Sequence, residues 1–217
     1  MSTRDLILAS SSPRRRELLG QIGVKFRIEK PDIDEVWAEG ETGAAYVCRL
    51  AEEKASVVAQ RQEGSVVLAA DTTVVLDGDI LEKPLSNRHG IEMLRRLSGN
   101  MHEVLTGVAL IDGQKRKSFV CSSRVFFREL SDEEIVWYWN TGEPHDKAGG
   151  YGLQGIGAAF VTVVEGSYTN VIGLPLAETV LLLRDFGVNL MQDKEINGSS
   201  AEGRRYGCGV VDQCLEQ

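Results

Sequence analysis

The sequence predicts an α/β fold with a mixed β-sheet. Apolar segments with strand-like and helix-like periods alternate along most of the chain, and several strand pairs are separated only by short turns, as in antiparallel hairpins. The 217 residues are 42% hydrophobic and 26% charged, which suits one domain with a substantial core. We expect this domain to be drawn out into two lobes around a central cleft.

The first elements are predicted to be a strand, a tight loop and a helix. Leu6–Ala9 is a short apolar run that indicates a buried strand, and Ser10–Ser12 forms the loop after it. Pro13 follows at the first helical position, where the missing N–H costs nothing. Gly23 is expected to end the helix.

The same alternation continues to about residue 189. Further helices are predicted by apolar stripes and capping residues at Thr42–Gln60, Asn87–Leu97, from the capping box Ser131–Glu134 onward, and at Pro175–Phe186. Extended segments are predicted at Ser65–Ala70, at Thr72–Leu76 before an Asp77-Gly78 turn, at Val104–Ile111, at Phe119–Phe127, and as a hairpin over Phe160–Ile172.

Beyond Asn189 the apolar periodicity stops. Residues 191–217 are rich in Gly and Ser, and their apolar side chains are few and scattered. Such a segment buries too little surface to offset its ordering entropy. We therefore expect one domain over residues 1–190 and a loosely ordered C-terminal tail over residues 191–217.

Composition excludes several functional classes. The formal net charge of −8 gives the whole surface no attraction for nucleic acid or anionic membranes, so a polyanionic substrate would need a local basic pocket. No apolar run approaches the roughly 18 residues of a membrane span, and the first residues lack a signal-peptide pattern. A reduced, cytoplasmic protein is predicted, because no zinc spacing links the four cysteines Cys48, Cys121, Cys208 and Cys214.

The segment Ser10–Arg16 is a candidate anion site. A loop of small residues that runs into a helix N-terminus offers free N–H groups and the positive end of the helix dipole. Arg14 and Arg15 oppose that dipole, and an anion across the turn would remove the conflict. A solvated basic patch is the alternative, and this segment alone does not separate the two.

Two carboxylates and two lysines are further candidates. Asp71 directly follows an apolar strand, where ligand sites of α/β sheets collect, and Glu35 lies in an acidic loop. Lys54 falls on the apolar stripe of its helix and either snorkels to solvent or reaches into a cleft. Lys83 precedes Pro84 with no structural need for its charge. Together they offer carboxylates for a hard metal ion and, with the two arginines, cations for a phosphate chain.

Two nucleotide-binding motifs are excluded. Gly150–Gly155 matches G-x-G-x-x-G, but a polar loop precedes it and a β-rich run follows it, whereas the dinucleotide fingerprint needs a strand before and a helix after. A mobile loop that closes over a ligand is the better interpretation. The chain also lacks the G-x-x-x-x-G-K-[ST] sequence of P-loop ATPases and GTPases.

A series of short motifs also occurs in the order typical of one family. These motifs are Leu8–Arg15, Ala70–Thr72, Leu81–Pro84, Leu97–Gly99, Thr106–Val108, Gly142–Pro144, Asp146–Gly155 and Val171–Pro175. From about residue 5 to residue 187, the chain resembles the Maf family of nucleotide pyrophosphatases, also called septum formation proteins. An ordered series of this length is far more specific than any single motif.

The resemblance implies an elongated, inosine-triphosphatase-like α/β fold with two lobes, a homodimer, and cleavage between the α and β phosphates of a nucleoside triphosphate. By the same resemblance, Asp71 would be the catalytic base, and Glu35 with Asp71 would bind Mg²⁺ or Mn²⁺. The triphosphate ligands would be Ser10, Arg15, Lys54 and Lys83.

Three positions resemble one branch of that family. Arg14, Thr72 and Gln154 match the branch that acts on dTTP and UTP, whereas a sister branch that acts on 7-methyl-GTP has Trp, Gln and Glu there. The resemblance thus implies a pyrimidine nucleotide as substrate. The 7-methyl-GTP branch and a nucleotide-binding regulator of septum formation without turnover are the alternatives.

Overall fold

A computed structural model describes residues 4–189 and the backbone of residues 210–211. Within these residues, eight strands form a single sheet. In chain order they are β1 Leu6–Ala9, β2 Phe26–Glu29, β3 Val66–Leu76, β4 Asp79–Leu81, β5 Met101–Asp112, β6 Lys115–Phe127, β7 Val161–Glu165 and β8 Val210–Val211.

Six α-helices accompany the sheet. They are α1 Pro13–Gln21, α2 Gly43–Arg61, α3 Asn87–Leu97, α4 Asp132–Asn140, α5 Tyr168–Ile172 and α6 Leu176–Asp185, and short 3₁₀ helices span Glu143–Asp146, Ala148–Gly150 and Ile156–Phe160. In none of these described helices do length and apolar character together reach what crossing a bilayer requires.

Hydroxyl side chains define where the first five α-helices begin. Each of these helices follows a Ser or Thr whose side-chain oxygen accepts a hydrogen bond from a backbone N–H in the first turn. The capping residues are Ser12, Thr42, Ser86, Ser131 and Ser167. The capping box predicted at Ser131 is present, because the Glu134 side chain also accepts from the Ser131 N–H. The helix starts expected from the sequence at residues 13, 42, 87 and 131 are thus confirmed to within a residue.

The sheet is mixed, as predicted. Its main path runs β2-β1-β3-β5-β6-β7, with β4 beside β3 and β8 beside β6. Strand β1 lies parallel to both β2 and β3, and the contacts from β3 through β5 and β6 to β7 are antiparallel.

The central strand β3 is longer than its neighbours on one side. Strand β1 ends at Ala9 opposite Ala69, and β4 pairs with β3 only from Val74 onward. Within the described residues, the stretch 70–73 of β3 therefore has no strand partner on that side, although β5 pairs with it on the other. A gap in the sheet opens beside the middle of the strand.

The core divides at the same place, which confirms the predicted two lobes. In the first lobe, Ala70 belongs to a buried apolar cluster that includes Leu68 and reaches Leu183 of α6. In the second lobe, Val74 belongs to a separate cluster that reaches Tyr138 of α4. Because one continuous strand contributes to both clusters, the lobes are held together through β3 and the gap lies between them.

Three expectations need correction. Asp71 does not end a strand but lies in the middle of β3. Strand β2, at one edge of the sheet, was not predicted, because four residues give too short an alternation of apolar and polar side chains. The hairpin over Phe160–Ile172 is wrong, since β7 is followed by helix α5; Gly166 turns the chain at φ 111°, and Ser167 caps the helix.

Most of the predicted tail lies outside the described residues. Of residues 191–217, only the backbone of β8 is described, where Val211 pairs with Val120 and Val210 with Cys121 of β6. The expectation of a loosely ordered tail stays a prediction.

Candidate active site

A cleft with a volume of about 580 Å³ lies along the free side of β3. Side chains from both lobes line it. All the site residues expected from the sequence are among the lining residues: Ser10, Arg14, Arg15, Glu35, Lys54, Asp71, Thr72, Lys83 and Gln154.

The sheet register brings the first of these residues together. Because β1 and β3 run parallel and Ala9 lies opposite Ala69, the loop that begins at Ser10 leaves the sheet beside Asp71. The loop leads into α1, whose first turn carries Arg14 and Arg15. Carboxyl ends of parallel strands are where ligand sites of α/β sheets collect, and here the central strand also continues past that end.

Lys54 is held between two carboxylates. Its side chain comes from α2, where it is only 5% exposed. The Nζ atom lies 2.6 Å from Asp71 Oδ1 and 2.6 Å from Glu35 Oε1. Of the two alternatives for this lysine, the structure therefore shows the one that reaches into a cleft rather than the one that snorkels to solvent.

Helix α2 packs closely on the sheet, and this packing brings Lys54 to the buried position beside Asp71. A Cβ atom added at Gly107 of β5 would lie 2.2 Å from the Val47 carbonyl oxygen of α2. The helix backbone thus contacts the strand where no side chain intervenes. This approach lets the long side chain of Lys54, about two turns further along the helix, reach β3.

Burial and neighbouring charge shift the two carboxylates in opposite directions. Burial raises the pKa of Asp71, although the positive charges of Lys54 and Arg15 oppose that rise. For Glu35, burial also acts to raise the pKa, but the hydrogen bond from Lys54 and the charges of Lys54, Lys83 and Arg15 outweigh it, so the pKa of Glu35 is lowered. The buried Asp71 is thus the stronger base of the pair.

Arg15 is fixed by uncharged acceptors. Its Nε donates to the Gly173 carbonyl oxygen at 2.8 Å, and its Nη2 donates to Thr72 Oγ1 at 2.9 Å. Loss of contact with water lowers the pKa of Arg15, partly offset by the charge of Asp71. Within the described part of the chain, no carboxylate forms an ion pair with this guanidinium, so its charge is available to an anion in the cleft.

The hydrogen bonds behind Arg15 continue into the core. Thr72 Oγ1 lies 2.9 Å from Thr106 Oγ1, which in turn donates to the Asn170 carbonyl oxygen at 3.1 Å. The fully buried Asn170 side chain donates to the Val104 carbonyl oxygen at 2.9 Å. Helix α5 and strand β5 are thereby joined, and the position of the guanidinium rests on both.

Arg14 has a carboxylate partner that the sequence did not reveal. Its Nη1 lies 3.2 Å from Asp146 Oδ2, and Asp146 Oδ1 accepts from Lys147 Nζ at 2.7 Å. Burial acts to raise the pKa of Asp146, but these two cations lower it overall. The conflict between the two arginines and the dipole of α1 is thus relieved at Arg14 by an ion pair across the cleft, and at Arg15 by neutral oxygens.

Several lining residues were missed by the sequence reasoning. Tyr46 of α2 donates from its hydroxyl to Glu82, which directly precedes Lys83, and both line the cleft with Asp146 and Lys147. The motifs of the resemblance contain Glu82, Asp146 and Lys147, which was the available signal. Their partners come from distant parts of the chain, so no local pattern assigned them a role.

The cleft satisfies the requirement for a local basic pocket. Six basic residues line it, namely Arg14, Arg15, Lys30, Lys54, Lys83 and Lys147, against the five acidic residues Asp32, Glu35, Asp71, Glu82 and Asp146. The lining therefore carries a formal charge of about +1 in a chain whose net charge is −8. A local excess of cations in an acidic protein focuses an anionic ligand on the cleft.

The donor set also suits a hard cation. Asp71 and Glu35 converge on one point, as their shared contact with Lys54 Nζ demonstrates. Carboxylate oxygens are the protein ligands that Mg²⁺ and Mn²⁺ prefer. Among the described residues, no group of three or more His, Cys, Asp or Glu side chains could hold a metal alone. The remaining ligands would have to come from water or from a bound phosphate, as is usual for Mg²⁺.

The fold and the site together define a class: an α/β protein with a cleft between two lobes that combines a buried carboxylate with cations suited to a phosphate chain. The chain belongs to the family described as "Maf-like protein", whose match spans residues 5–186. The predicted resemblance is thus confirmed.

Two proteins of similar sequence support this assignment. A protein of Hahella chejuensis (strain KCTC 2396) named "dTTP/UTP pyrophosphatase" is 53% identical over 193 residues, covering 88% of this chain and 96% of that protein. One of Myxococcus xanthus (strain DK1622) with the same name is 54% identical over 185 residues, covering 85% and 94%. Among solved structures, the Staphylococcus aureus Ham1 protein is 16% identical with a TM-score of 0.48, covering 84% of this chain and 97% of that one.

Proposed function

We propose that this chain is a divalent-metal-dependent nucleoside triphosphate pyrophosphatase that hydrolyses dTTP and UTP to the monophosphate and pyrophosphate. Relatives with that printed name are about half identical to it over most of their length. The observation that carries the proposal is the pairing, in one cleft, of the buried carboxylate of Asp71 with the guanidinium of Arg15, which has no carboxylate partner within the described residues.

Arg15, Lys83 and Ser10 bind the triphosphate in this proposal. The charge of Arg15 acts to lower the pKa of both Asp71 and Glu35, and the charge of Lys83 acts to lower the pKa of Glu35. Ser10 Oγ already accepts from the Ser12 N–H at 3.1 Å, so its own hydroxyl hydrogen is free to point at a phosphate oxygen. Charge-assisted hydrogen bonds of this kind strengthen as negative charge builds on the departing pyrophosphate.

Asp71 acts as the general base. It accepts a proton from a water molecule, the water oxygen forms a bond to the α-phosphorus, and the bond from that phosphorus to the bridging oxygen breaks with its electron pair leaving on pyrophosphate. Lys54, released from the carboxylates to the phosphates, stabilises the charge that develops.

Glu35 and Asp71 would hold the Mg²⁺ or Mn²⁺ ion together with phosphate oxygens. When bound, such an ion supplies Lewis-acid stabilisation of phosphoryl charge. In the structure the ammonium of Lys54 occupies the point between the two carboxylates, so the ion would take this point once Lys54 turns to the phosphates.

Arg14, Thr72 and Gln154 select the pyrimidine base. They come from α1, β3 and the segment after residue 151, and all three line the cleft. A small base leaves room for the Arg14 side chain, and the Gln154 amide both donates to and accepts from a base edge.

We further propose that the protein acts in the cytoplasm as a homodimer, and that removal of unwanted nucleotides restrains septum formation.

A panel of nucleoside triphosphates with pyrophosphate detection tests the proposal. UTP and dTTP should be hydrolysed in Mg²⁺ or Mn²⁺, and EDTA should abolish turnover. Preferred hydrolysis of 7-methyl-GTP would instead place the chain in the sister branch. Tight nucleotide binding without pyrophosphate release in any metal would indicate a non-catalytic regulator.

A further inference from the structure

One carboxylate binds the C-terminal end of the segment 152–157, which carries Gln154. Glu143 lies in the 3₁₀ helix Glu143–Asp146. Its Oε2 accepts from the Ile156 N–H at 2.8 Å, and its Oε1 accepts from the Gly157 N–H at 3.1 Å and from the Tyr138 hydroxyl at 2.9 Å. Three donors therefore converge on one side chain, and two of them are backbone groups of the segment.

The backbone of the segment 152–157 packs closely against the Glu143 carboxylate. A Cβ atom added at Gly155 would lie 2.3 Å from Glu143 Oε2, and one added at Gly157 would lie 2.7 Å from the Tyr138 hydroxyl. The same hydroxyl accepts from the Gly152 N–H at 3.3 Å. The fully buried Tyr138 ring and the carboxylate thus form a fixed support against which glycine backbone packs at both ends of the segment.

The same 3₁₀ helix also contacts Arg14. Asp146, at its other end, forms the ion pair with Arg14 Nη1 at 3.2 Å. The Glu143 carbonyl oxygen accepts from Lys147, which in turn donates to Asp146. One short helix therefore contacts both the segment that carries Gln154 and the side chain of Arg14.

We propose that Glu143 is a positioning residue for base selection: it fixes the segment 152–157, and with it Gln154, in register with Arg14. This inference rests on the proposed function. A carboxylate only accepts hydrogen bonds, which suits two N–H groups and a hydroxyl. An amide in its place would turn an NH₂ group toward at least one of these donors, so Glu143→Gln loosens the segment at nearly constant side-chain shape.

The test compares Glu143→Gln with Glu134→Gln. Glu134 is also a carboxylate that accepts three hydrogen bonds in the same lobe, but two come from the Arg128 guanidinium and one from the Ser131 N–H, and none comes from the segment. For Glu143→Gln we expect the KM for UTP to rise about tenfold, the order expected for a lost charge-assisted hydrogen bond, while kcat changes much less. The preference for UTP over CTP and GTP should fall, and Glu134→Gln should keep it.

A double-mutant cycle separates positioning from general damage. If Glu143 acts through Gln154, then in a Gln154→Ala background Glu143→Gln should change the UTP preference no further. Additive losses of preference, or a Glu143→Gln enzyme with wild-type preference, would overturn the inference. A wild-type enzyme without any pyrimidine preference would instead refute the proposed function itself.

Tyr138→Phe provides a second variant if Glu143→Gln does not fold. It removes one donor to the carboxylate and the acceptor for the Gly152 N–H, and leaves the aromatic packing in place. We expect a smaller loss of UTP preference in the same direction. An unchanged preference in this folded variant would also count against the inference.

Discussion

Arg15 and Arg16 are neighbours in α1, but their surroundings differ completely. Arg15 points into the cleft and is bonded to Gly173 and Thr72, whereas Arg16 is exposed. The sequence indicated that the basic first turn was unusual, because it opposes the helix dipole. It could not indicate which arginine would be held by neutral oxygens, since these partners lie 57 and 158 residues away.

Arg15→Ala should weaken substrate binding and catalysis together. A hydrogen bond to a charged group contributes about 1.5–3 kcal/mol, so kcat/KM for UTP should fall about 10- to 100-fold. Arg16→Ala removes the same charge from the same helix and should leave kcat/KM within about twofold. Steady-state kinetics of both variants decide the point, and equal losses would show that only the overall charge of α1 matters.

His102 illustrates a residue whose role lies in stability. It is 1% exposed, and its Nε2 lies 2.8 Å from the Tyr151 hydroxyl. Burial lowers the pKa of His102 to about 4. The unfolded chain therefore binds a proton from about pH 6.5 downward, while the folded chain does not until about pH 4.

The contribution of His102 to the free energy of unfolding should therefore be fully present above pH 6.5. It should fall as the pH drops toward 4, by about 3 kcal/mol. Urea unfolding at several pH values measures this. The loss between pH 6.5 and 4 should be clearly smaller in His102→Gln than in the wild type. Identical slopes in the two proteins would contradict the assignment.

At the scale of elements, four of the five helices with hydroxyl caps were predictable, because in these helices a cap precedes an apolar stripe and both are local signals. Helix α3 was expected at Asn87–Leu97 and is found there. Helix α5 was not predicted, because its five residues are too few for a stripe and its stability comes from outside the helix: Asn170 is anchored on Val104 and Ser123. Short elements that depend on buried polar contacts are invisible to local patterns.

The contact between α3 and α4 allows a test of packing. A Cβ atom added at Gly90 of α3 would lie 1.9 Å from the Trp139 ring of α4, whereas one added at Gly20 of α1 would meet nothing within 4 Å. Gly90→Ala should therefore destabilise the protein by about 1–3 kcal/mol. Gly20→Ala should stabilise it by up to about 1 kcal/mol, the gain in helix propensity. Thermal melting of both variants should show shifts of opposite sign, and a stabilised Gly90→Ala protein would refute this packing.

For the whole molecule, the sequence could predict a mixed sheet and nine of the cleft residues, but not the gap in the sheet that forms the cleft. The gap beside β3 arises because β1 stops at Ala9 and β4 starts pairing only at Val74. These lengths depend on long-range register, which the sequence does not display. Asp71 consequently seemed to end a strand, although it lies where a continuous strand crosses from one lobe to the other.

Removal of the tail tests whether the domain ends near residue 190. The buried clusters use residues 6–188, and the family match ends at residue 186. Beyond residue 189 the described structure adds only the two-residue pairing of β8. A chain that ends at Leu190 should keep its melting temperature within about 2 °C and its UTP turnover within about twofold, since a loss of about 1 kcal/mol would already shift melting by 2–4 °C. A larger loss would make residues 191–217 part of the working structure.

The most direct test of the central claim is the hydrolysis of UTP with Mg²⁺ by the wild-type protein and by Asp71→Asn, with products resolved by ³¹P NMR. The exchange keeps the size of the side chain and removes the base. We predict UMP and pyrophosphate from the wild type, and a kcat about 10²- to 10⁴-fold lower for Asp71→Asn at a similar melting temperature. Near-normal turnover by Asp71→Asn, or UDP and phosphate as the wild-type products, would contradict the account.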